Sequence, residues 1–216
     1  MTKKAEIITF GCRLNIYESE ILKQGVKEHE VKNTSIFNSC AVTAESVRQV
    51  KQSIRKRRRE FPEEKIVVTG CAAQIEPETF SKMQEVDLVS GNIEKRDILN
   101  ILSKEKDSKK IEVQNIMETR QSLNGLTDGY DNRSRAFIEI QNGCDHRCTF
   151  CIIPFGRGNS VSKSVKNIIN EINLMIEKGH KEIVLTGVDI ASWGHDLDKK
   201  SNLGFLVKKI LQGSPD

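Results

Sequence analysis

The sequence predicts an α/β fold built on a mostly parallel sheet, and two patterns lead to this prediction. Short β-branched runs alternate with segments of helical spacing from the N-terminus to about residue 103. A second alternating series begins near residue 135. Alternation of this kind is typical of parallel strands covered by helices. We therefore expect a Rossmann-like sheet in the first half of the chain and further βα units in the second.

The first series contains predicted strands and helices in alternation. The strands are short apolar or β-branched runs: Ala5–Phe10, Ser35–Phe37, Lys65–Thr69, Val86–Ser90 and Ile111–Ile116. The helices are segments of helical spacing: Asn15–Glu28, Ala44–Glu60, Pro77–Met83 and Ile93–Ser103. Thr43 is a typical N-cap for the second helix and Pro62 ends it. Pro77 suits the first turn of the third helix.

The second series contains two βα units. Its predicted strands are Arg135–Gln141 and Glu182–Thr186, and its predicted helices are Lys163–Lys178 and Leu203–Leu211. Gly179 suits the left-handed position that ends a helix. Ser122–Asn132 is rich in Gly, Asp, Asn and Ser. We therefore predict a linker at 121–132 between a domain at 1–120 and a domain at 133–216.

Composition argues against a membrane-bound or secreted protein. Hydrophobic residues make up 37% and charged residues 30%, and no apolar run approaches the ~20 residues of a membrane helix. The N-terminus lacks the apolar stretch of a signal peptide, so we expect a reducing, cytoplasmic location. Disulfides are a poor explanation for six cysteines there. The net charge of +4 is compatible with a polyanionic partner.

Three cysteines, Cys12, Cys40 and Cys71, each follow a predicted strand and are called the first triad. Parallel strands end at one edge of a sheet, so we expect these thiols to converge there, where Gly11 and Gly70 permit close backbone approach. Three thiolates suit an iron–sulfur cluster that leaves one iron open. Two alternatives remain: buried cysteines acting as small hydrophobes, and zinc, which usually takes four ligands with CxxC spacing.

The other three cysteines, Cys144, Cys148 and Cys151, have the spacing CxxxCxxC and are called the second triad. Such a loop can bind three corners of a [4Fe–4S] cluster and leave the fourth iron open. His146 is an alternative fourth ligand of this cluster. We interpret it as a solvated loop residue, because a fourth protein ligand would leave no iron open for catalysis. The motif, with Phe150 before its last cysteine, closely resembles the signature of the radical S-adenosylmethionine (SAM) superfamily.

Together, the two triads resemble those of the radical SAM methylthiotransferase family. The matching stretches are Thr9–Asn15, Asn38–Thr43, Val68–Gln74 and Gln141–Pro154. The resemblance implies that the first triad holds an auxiliary [4Fe–4S] cluster that carries the sulfur for transfer. The second triad would hold a [4Fe–4S] cluster that cleaves SAM to a 5′-deoxyadenosyl radical. It also implies a methylthiotransferase domain followed by the first βα units of a radical SAM, partial TIM-type barrel.

Two stretches bear on the substrate that the resemblance implies. Gly11–Asn15 and Leu185–Ile190 look most similar to the branch that acts on N6-threonylcarbamoyladenosine beside the tRNA anticodon. The branches that modify isopentenyladenosine in tRNA or a ribosomal protein are the alternatives. The resemblance thus implies a tRNA-modifying enzyme, with the anticodon stem-loop as its partner and an electron donor such as flavodoxin.

The chain is shorter than this resemblance requires. Only residues 133–216 follow the predicted linker, whereas a full (β/α)₈ barrel takes ~250 residues. We therefore expect a fragment, a truncated product or half of a split enzyme, which binds iron without completing turnover. An inactive cluster-binding module is the alternative from another class.

Three residues are candidate SAM contacts by resemblance to radical enzymes. Phe150 lies in the cluster motif, and Thr186 and Gly187 end the second predicted barrel strand, where the amino group of SAM is expected. Backbone packing at the glycine is the alternative for Gly187. Arg157 lies just past the cluster motif. We expect it to contact substrate or cofactor; the alternative is that it belongs to a turn.

A basic helix is the candidate RNA contact. Arg55, Arg57 and Arg58 crowd its C-terminal end, and such a patch suits phosphate binding. The alternative is a solvated helix end, where cations interact favourably with the helix dipole. Trp193 stands alone in a polar segment, and the sequence assigns it no role.

Overall fold

A computed structural model of the protein describes residues 3–103, 110–118, 129–130, 134–198 and 201–213. Of the predicted linker at 121–132, only residues 129 and 130 fall within these ranges. The rest of that prediction lies outside the described residues.

The first part of the chain forms a parallel sheet, which confirms the predicted α/β class. Its strands are β1 (Glu6–Thr9), β2 (Thr34–Ser39), β3 (Lys65–Gly70), β4 (Leu88–Ser90) and β5 (Ile111–Glu112). They lie side by side in chain order, and each neighbouring pair is parallel. In the register, Thr9 pairs with Asn38 and Asn38 pairs with Thr69, so β1, β2 and β3 end at the same level.

Helices cover both faces of this sheet. They are α1 (Arg13–Glu28), α2 (Ala44–Glu60), α3 (Cys71–Ile75), α4 (Pro77–Ser81) and α5 (Ile98–Ser103). Val50 of α2 belongs to the same apolar cluster as Phe37 of β2. Leu22 of α1 belongs to the cluster on the other face, with Ile36 of β2. Successive strand residues point to opposite faces, so β2 is buried on both sides, as is usual for a parallel sheet.

The predicted starts of α2 and α4 are confirmed, and two other details differ. The Thr43 side chain accepts a hydrogen bond from the Ser46 backbone N–H at 3.1 Å and caps α2. The predicted helix Ile93–Ser103 divides into a 3₁₀ turn, Glu94–Asp97, and α5, and the Glu94 carboxylate accepts from the Gln114 backbone N–H. Helix α3 was not predicted, because a five-residue helix is too short to show a period.

The second part of the chain builds on a βαβ unit. Its elements are β6 (Arg135–Glu139), β7 (Gln141–Asn142), α6 (Ile153–Arg157), β8 (Val161–Ser162), α7 (Val165–Glu177), β9 (Glu182–Thr186) and α8 (Leu203–Gly213). Strands β6 and β9 pair in parallel, and β7 pairs with β8 antiparallel. The predicted strand Arg135–Gln141 is thus divided at Ile140, and α6 and β8 are elements that the sequence analysis missed. Both are too short to show a periodic pattern.

The apolar core of the second part receives a side chain from the first. Ile138, Ile168 and Trp193 are buried together with Tyr17 of α1. The Trp193 indole donates a hydrogen bond to the Lys163 carbonyl at 3.0 Å, so this residue has a structural role. Helix α1 therefore packs against both the first sheet and β6. Within the described ranges, no helix is both long and apolar enough to cross a membrane.

A buried carboxyl group in this second core carries a prediction. Glu139 is fully buried at the end of β6, its Oε1 lies 4.0 Å from the Lys163 ammonium, and its Oε2 accepts from the Asn142 amide. Burial outweighs the attraction of Lys163 and raises the pKa of Glu139 from 4.5 to about 7. The folded state therefore holds a proton that the unfolded chain loses, and stability falls as pH rises from 4.5 to 7.

Replacing Glu139 with Gln should remove this pH dependence. The unfolding free energy of E139Q relative to wild type should increase by about 3 kcal/mol between pH 4 and pH 8. Urea unfolding at the two pH values measures it. The exposed Glu182 on the neighbouring strand is the matched control, and E182Q should show the same difference from wild type at both pH values. A pH-independent E139Q difference would contradict this prediction.

Candidate functional site

The first triad lies at one edge of the parallel sheet, as expected. Cys40 and Cys71 directly follow β2 and β3, and Cys12 follows β1 as the N-cap residue of α1. Because these strands are neighbours and parallel, the three cysteines lie at their carboxyl ends. All three are free thiols; Cys40 and Cys71 are buried and Cys12 is exposed. The site therefore has an open side at Cys12.

Two glycines bring the backbone close to these thiols. Gly11 has φ +105°, and a Cβ added there would lie 2.8 Å from the Cys40 Sγ. Gly70 has φ +95°, and a Cβ there would lie 2.4 Å from the Ser39 carbonyl oxygen. Residues other than glycine rarely adopt such backbone angles. At both positions an added side chain would overlap atoms already present, so glycine permits the close approach beside Cys40 and at the turn into Cys71.

The donor set fits an iron–sulfur cluster. The described residues contain no group of three or more His, Cys, Asp or Glu side chains that could hold a single metal ion. A cubic cluster sits between its ligands and needs them farther apart than one ion does. Three soft thiols at adjacent strand ends are ligands of the type that iron–sulfur clusters take. Burial raises the pKa of the free Cys71 thiol, and the nearby Arg157 guanidinium opposes this.

The second triad lies on a loop between β7 and α6. Cys144 is buried, Cys151 is half-buried and Cys148 is exposed. The Cys144 backbone N–H donates to the Gly158 carbonyl at 3.0 Å, which closes the loop at its base. Phe150 is 91% exposed beside these thiols. These three thiols also form a donor set that suits an iron–sulfur cluster with one open iron.

Gln141 organises the base of this loop, and the sequence analysis did not single it out. Its amide donates to the Gly143 carbonyl and to the Ser160 hydroxyl at 2.7 and 3.0 Å. Its carbonyl oxygen accepts from the backbone N–H groups of Val188 and Asp189 at 3.0 and 2.8 Å. One side chain thus ties the cysteine loop to the segment that follows β9.

Two of the predicted SAM contacts, Thr186 and Gly187, lie where β9 meets that segment. Thr186 is buried at the end of β9, and a Cβ added at Gly187 would lie 2.8 Å from the Gln141 carbonyl. Close backbone packing therefore accounts for Gly187 without a ligand. His146 is largely exposed, and its Nε2 lies 3.1 Å from a carboxylate oxygen of Asp189.

The two triads are brought together by α3 and α6. Helix α3 begins at Cys71, and α6 begins two residues after Cys151. These helices pack against each other, and a Cβ added at Gly156 of α6 would lie 3.1 Å from the Cys71 Cβ. The Asn92 amide donates to the Gly156 carbonyl. Helix α6, which follows the second triad, thus lies against Cys71 of the first triad.

A buried polar network fills the interface beside the first triad. Arg157 donates to Glu18 at 2.8 Å and to the Asn15 amide oxygen at 2.8 Å. The Lys95 ammonium donates to the other Glu18 oxygen at 2.8 Å. Asn15 also accepts from the Cys12 thiol at 3.3 Å. Burial alone would raise the pKa of Glu18, but Arg157 and Lys95 outweigh it and lower the pKa to about 2. Of this network, the sequence analysis identified only Arg157.

The predicted RNA-binding arginines differ in their surroundings. Arg57 is buried and pairs with Glu64 at 2.7 Å. Arg58 pairs with Asp87 at 2.6 Å and donates to the Glu85 carbonyl. Both guanidinium groups are engaged with the protein itself. Arg55 is mostly exposed and lies 3.9 Å from a carboxylate oxygen of Glu85.

Together, a sheet domain with three thiols at its edge and a βαβ unit that carries a CxxxCxxC loop define a radical SAM protein with an auxiliary thiol site. Residues 4–91 match the family described as uncharacterized protein family UPF0004. Residues 138–209 match the radical SAM superfamily. Membership of that superfamily implies SAM and iron–sulfur chemistry.

Curated relatives agree with both halves of this description. A threonylcarbamoyladenosine tRNA methylthiotransferase from Rickettsia prowazekii is 44% identical over 99% of this chain and 50% of the relative. Proteins of the same name from Aquifex aeolicus and Bacillus subtilis are 34% and 32% identical over 97% and 94% of the chain, covering 53% and 47% of the relatives. Over nearly its whole length, the chain is similar to radical SAM methylthiotransferases. It spans about half the length of the curated relatives it matches.

Proposed function

We propose that this protein adds a methylthio group to N6-threonylcarbamoyladenosine in tRNA. The packing of α3 on α6 supports this best, since α3 begins at Cys71 of the first triad and α6 follows the loop that carries the second. Methylthiotransfer needs a sulfur source close to the site of radical generation. The relatives named for this reaction match both parts of the chain.

We assign one [4Fe–4S] cluster to each triad, with SAM on the open iron of the second. When bound, these groups supply the radical and the transferred sulfur. The chain's own residues hold and shield them: Gly11 lets the backbone approach Cys40 closely, and Gln141 fixes the base of the second loop. Phe150 and Thr186 lie at the second loop and at the end of β9, where they would contact SAM. A site that excludes water protects a radical from side reactions.

The proposed partners follow from the reaction. The tRNA anticodon stem-loop is the substrate, and an electron donor such as flavodoxin supplies the reducing electron, both in the cytoplasm. Of the basic helix, we propose Arg55 for phosphate contact, because it is more exposed than Arg57 and Arg58, which bind acidic groups of the protein. Loss of one phosphate contact weakens binding similarly for all sequences.

Deletion of the gene tests the proposed function. Transfer RNA from the deletion strain should contain threonylcarbamoyladenosine without the methylthio group, and the restored gene should return the heavier nucleoside. Mass spectrometry of tRNA nucleosides measures both. A gene with Cys144 replaced by Ala is the matched control and should not restore the modification.

Other results would assign a different substrate. A relative named tRNA-2-methylthio-N(6)-dimethylallyladenosine synthase, from Pelagibacter ubique, is 31% identical over 97% of the chain. Loss of the methylthio group from isopentenyladenosine instead would move the protein to that branch. A change confined to a ribosomal protein would move it to the third branch, and unchanged nucleosides and ribosomal proteins would favour an inactive cluster-binding module.

A further inference from the structure

Arg157 belongs to the second part of the chain, but its guanidinium lies in the polar interior beside the first triad. Its side chain is 2% exposed, and it donates to Glu18 and to Asn15, both on α1. Asn15 in turn contacts the Cys12 thiol at 3.3 Å and donates to the Ser39 carbonyl, next to Cys40, at 3.0 Å. Asn15 therefore links the guanidinium to Cys12 and to the residue that precedes Cys40.

The charges in contact with Arg157 do not balance among themselves. Arg157 and Lys95 are two buried cations that share one carboxylate, Glu18. A buried charge without a counter-charge is costly. Burial acts to lower the pKa of Arg157, but the attraction of Cys71, Glu18 and Cys12 outweighs it and raises that pKa well above its usual value. The arrangement of charges thus suits anionic sulfur at the first triad.

A neighbouring buried group carries its own charges. Lys163 lies 3.3 Å from Glu171 and 4.0 Å from Glu139, and Arg157 donates to the amide oxygen of Asn142 at 3.1 Å. Burial raises the pKa of both Glu139 and Glu171. Lys163 therefore has two carboxyl neighbours of its own, Glu171 and Glu139.

We propose that Arg157 is a positioning residue of the first triad: it supplies a fixed positive charge to the auxiliary cluster from the domain that carries the second triad. This inference rests on the proposed function, which assigns a cluster to each triad. A cation in a poorly polarisable interior stabilises the more negative state of a nearby group. Arg157 therefore favours the reduced form of the auxiliary cluster, and nearby charge is one of the factors that set a cluster's reduction potential.

The same residue links this charge to the assembly of the interface. Arg157 ends α6, which packs on α3, and α3 begins at Cys71. The guanidinium reaches the first triad only when α6 is seated. The charge beside the auxiliary cluster thus depends on the docking that brings the two triads together.

The reduction potential of the auxiliary cluster tests the proposal without measuring turnover. The reconstituted protein is titrated anaerobically and followed by electron paramagnetic resonance, in a Cys144→Ala background that leaves only the auxiliary cluster. Arg157→Gln should lower the ratio of reduced to oxidised cluster at a fixed potential about tenfold, which corresponds to a shift of ~59 mV to lower potential. Arg157→Lys, which keeps the charge, should restore most of the ratio.

Lys163→Gln is the matched control, because it removes a buried cation that contacts Tyr17 and Glu171 rather than the network at the first triad. It should leave the potential of the auxiliary cluster close to that of wild type. An unchanged potential in Arg157→Gln with the cluster fully loaded would overturn the proposal, as would an equal shift in Lys163→Gln.

A second variant covers the case in which Arg157→Gln does not fold. Lys95 also shares Glu18 and acts on Cys71, so Lys95→Gln should shift the same cluster in the same direction by a smaller amount. An unchanged potential in Lys95→Gln would then overturn the proposal. Absence of any cluster in the Cys144→Ala protein would instead contradict the cluster assignment of the proposed function, so the two failures are distinguishable.

Discussion

Replacing Cys144 with alanine should remove about four irons per chain and abolish reductive cleavage of SAM, while the auxiliary cluster remains. Replacing Cys71 should remove about four irons as well, but should leave SAM cleavage intact. The physical reason is that each triad provides only three thiols. Loss of one leaves two ligands, which hold a cubic cluster poorly. Iron and sulfide analysis, Mössbauer spectra and an assay for 5′-deoxyadenosine measure the outcome.

The structure makes this separation a demanding test, because α3, which begins at Cys71, packs against α6, which follows the second triad. Cys71 lies against Gly156 of α6, so a disturbed fold would spread from one site to the other. Alanine is smaller than cysteine and leaves α3 and α6 in contact, so we expect separate losses. If single replacements in either triad always removed both clusters, the assignment of two independent sites would be wrong. A zinc-loaded wild-type protein without sulfide would exclude iron–sulfur clusters altogether.

Replacing Gly70 with alanine should destabilise the protein on the order of 4 kcal/mol, among the larger effects of single substitutions. Gly70 has φ +95° and ψ −172°, a backbone region that is nearly restricted to glycine. The new Cβ would lie 2.4 and 2.5 Å from the backbone O and N of Ser39. Those atoms belong to β2, which pairs with β3, so they cannot move without disturbing the sheet beneath the first triad. Urea unfolding of the iron-free protein measures the loss.

Gly179 provides the matched control for this substitution. It also has a positive φ, +88°, but a Cβ there would meet no atom within 4 Å. Gly179→Ala should therefore cost only the backbone strain, about 1–2 kcal/mol, and leave iron binding unchanged. Equal losses in the two variants would show that strain alone acts at Gly70 and that the close approach of β2 and β3 is unimportant.

Much of the fold could be predicted from local patterns. Thr43 caps α2 through its own hydroxyl. Val50 and Ile54 are four residues apart, so they share one face of this helix, and that face packs on the sheet. The elements that were missed are α3, α6 and β8, which are two to five residues long. Their positions are set by tertiary contacts: α3 and α6 pack against each other.

The sequence by itself determined the chemistry of the sites. The spacing of Cys144, Cys148 and Cys151 is local, and a cysteine after each of three parallel strands needs only the α/β topology to reach one edge. The proposed cluster ligands, the resemblance to a family and the fold class follow from such patterns. They can be predicted from the sequence because each depends on residues that are close in sequence or on one rule of sheet geometry.

Only the tertiary structure decided how the sites relate to each other. Arg157 and Glu18 are separated by 139 positions, yet they form a buried ion pair beside the first triad. Arg57 and Arg58 look like Arg55 in the sequence, but carboxylates outside their helix, those of Glu64 and Asp87, engage them. A charged side chain has no periodic signature, and its role is set by which groups surround it after folding. Burial then determines whether it is a solvated surface charge or a fixed charge inside the molecule.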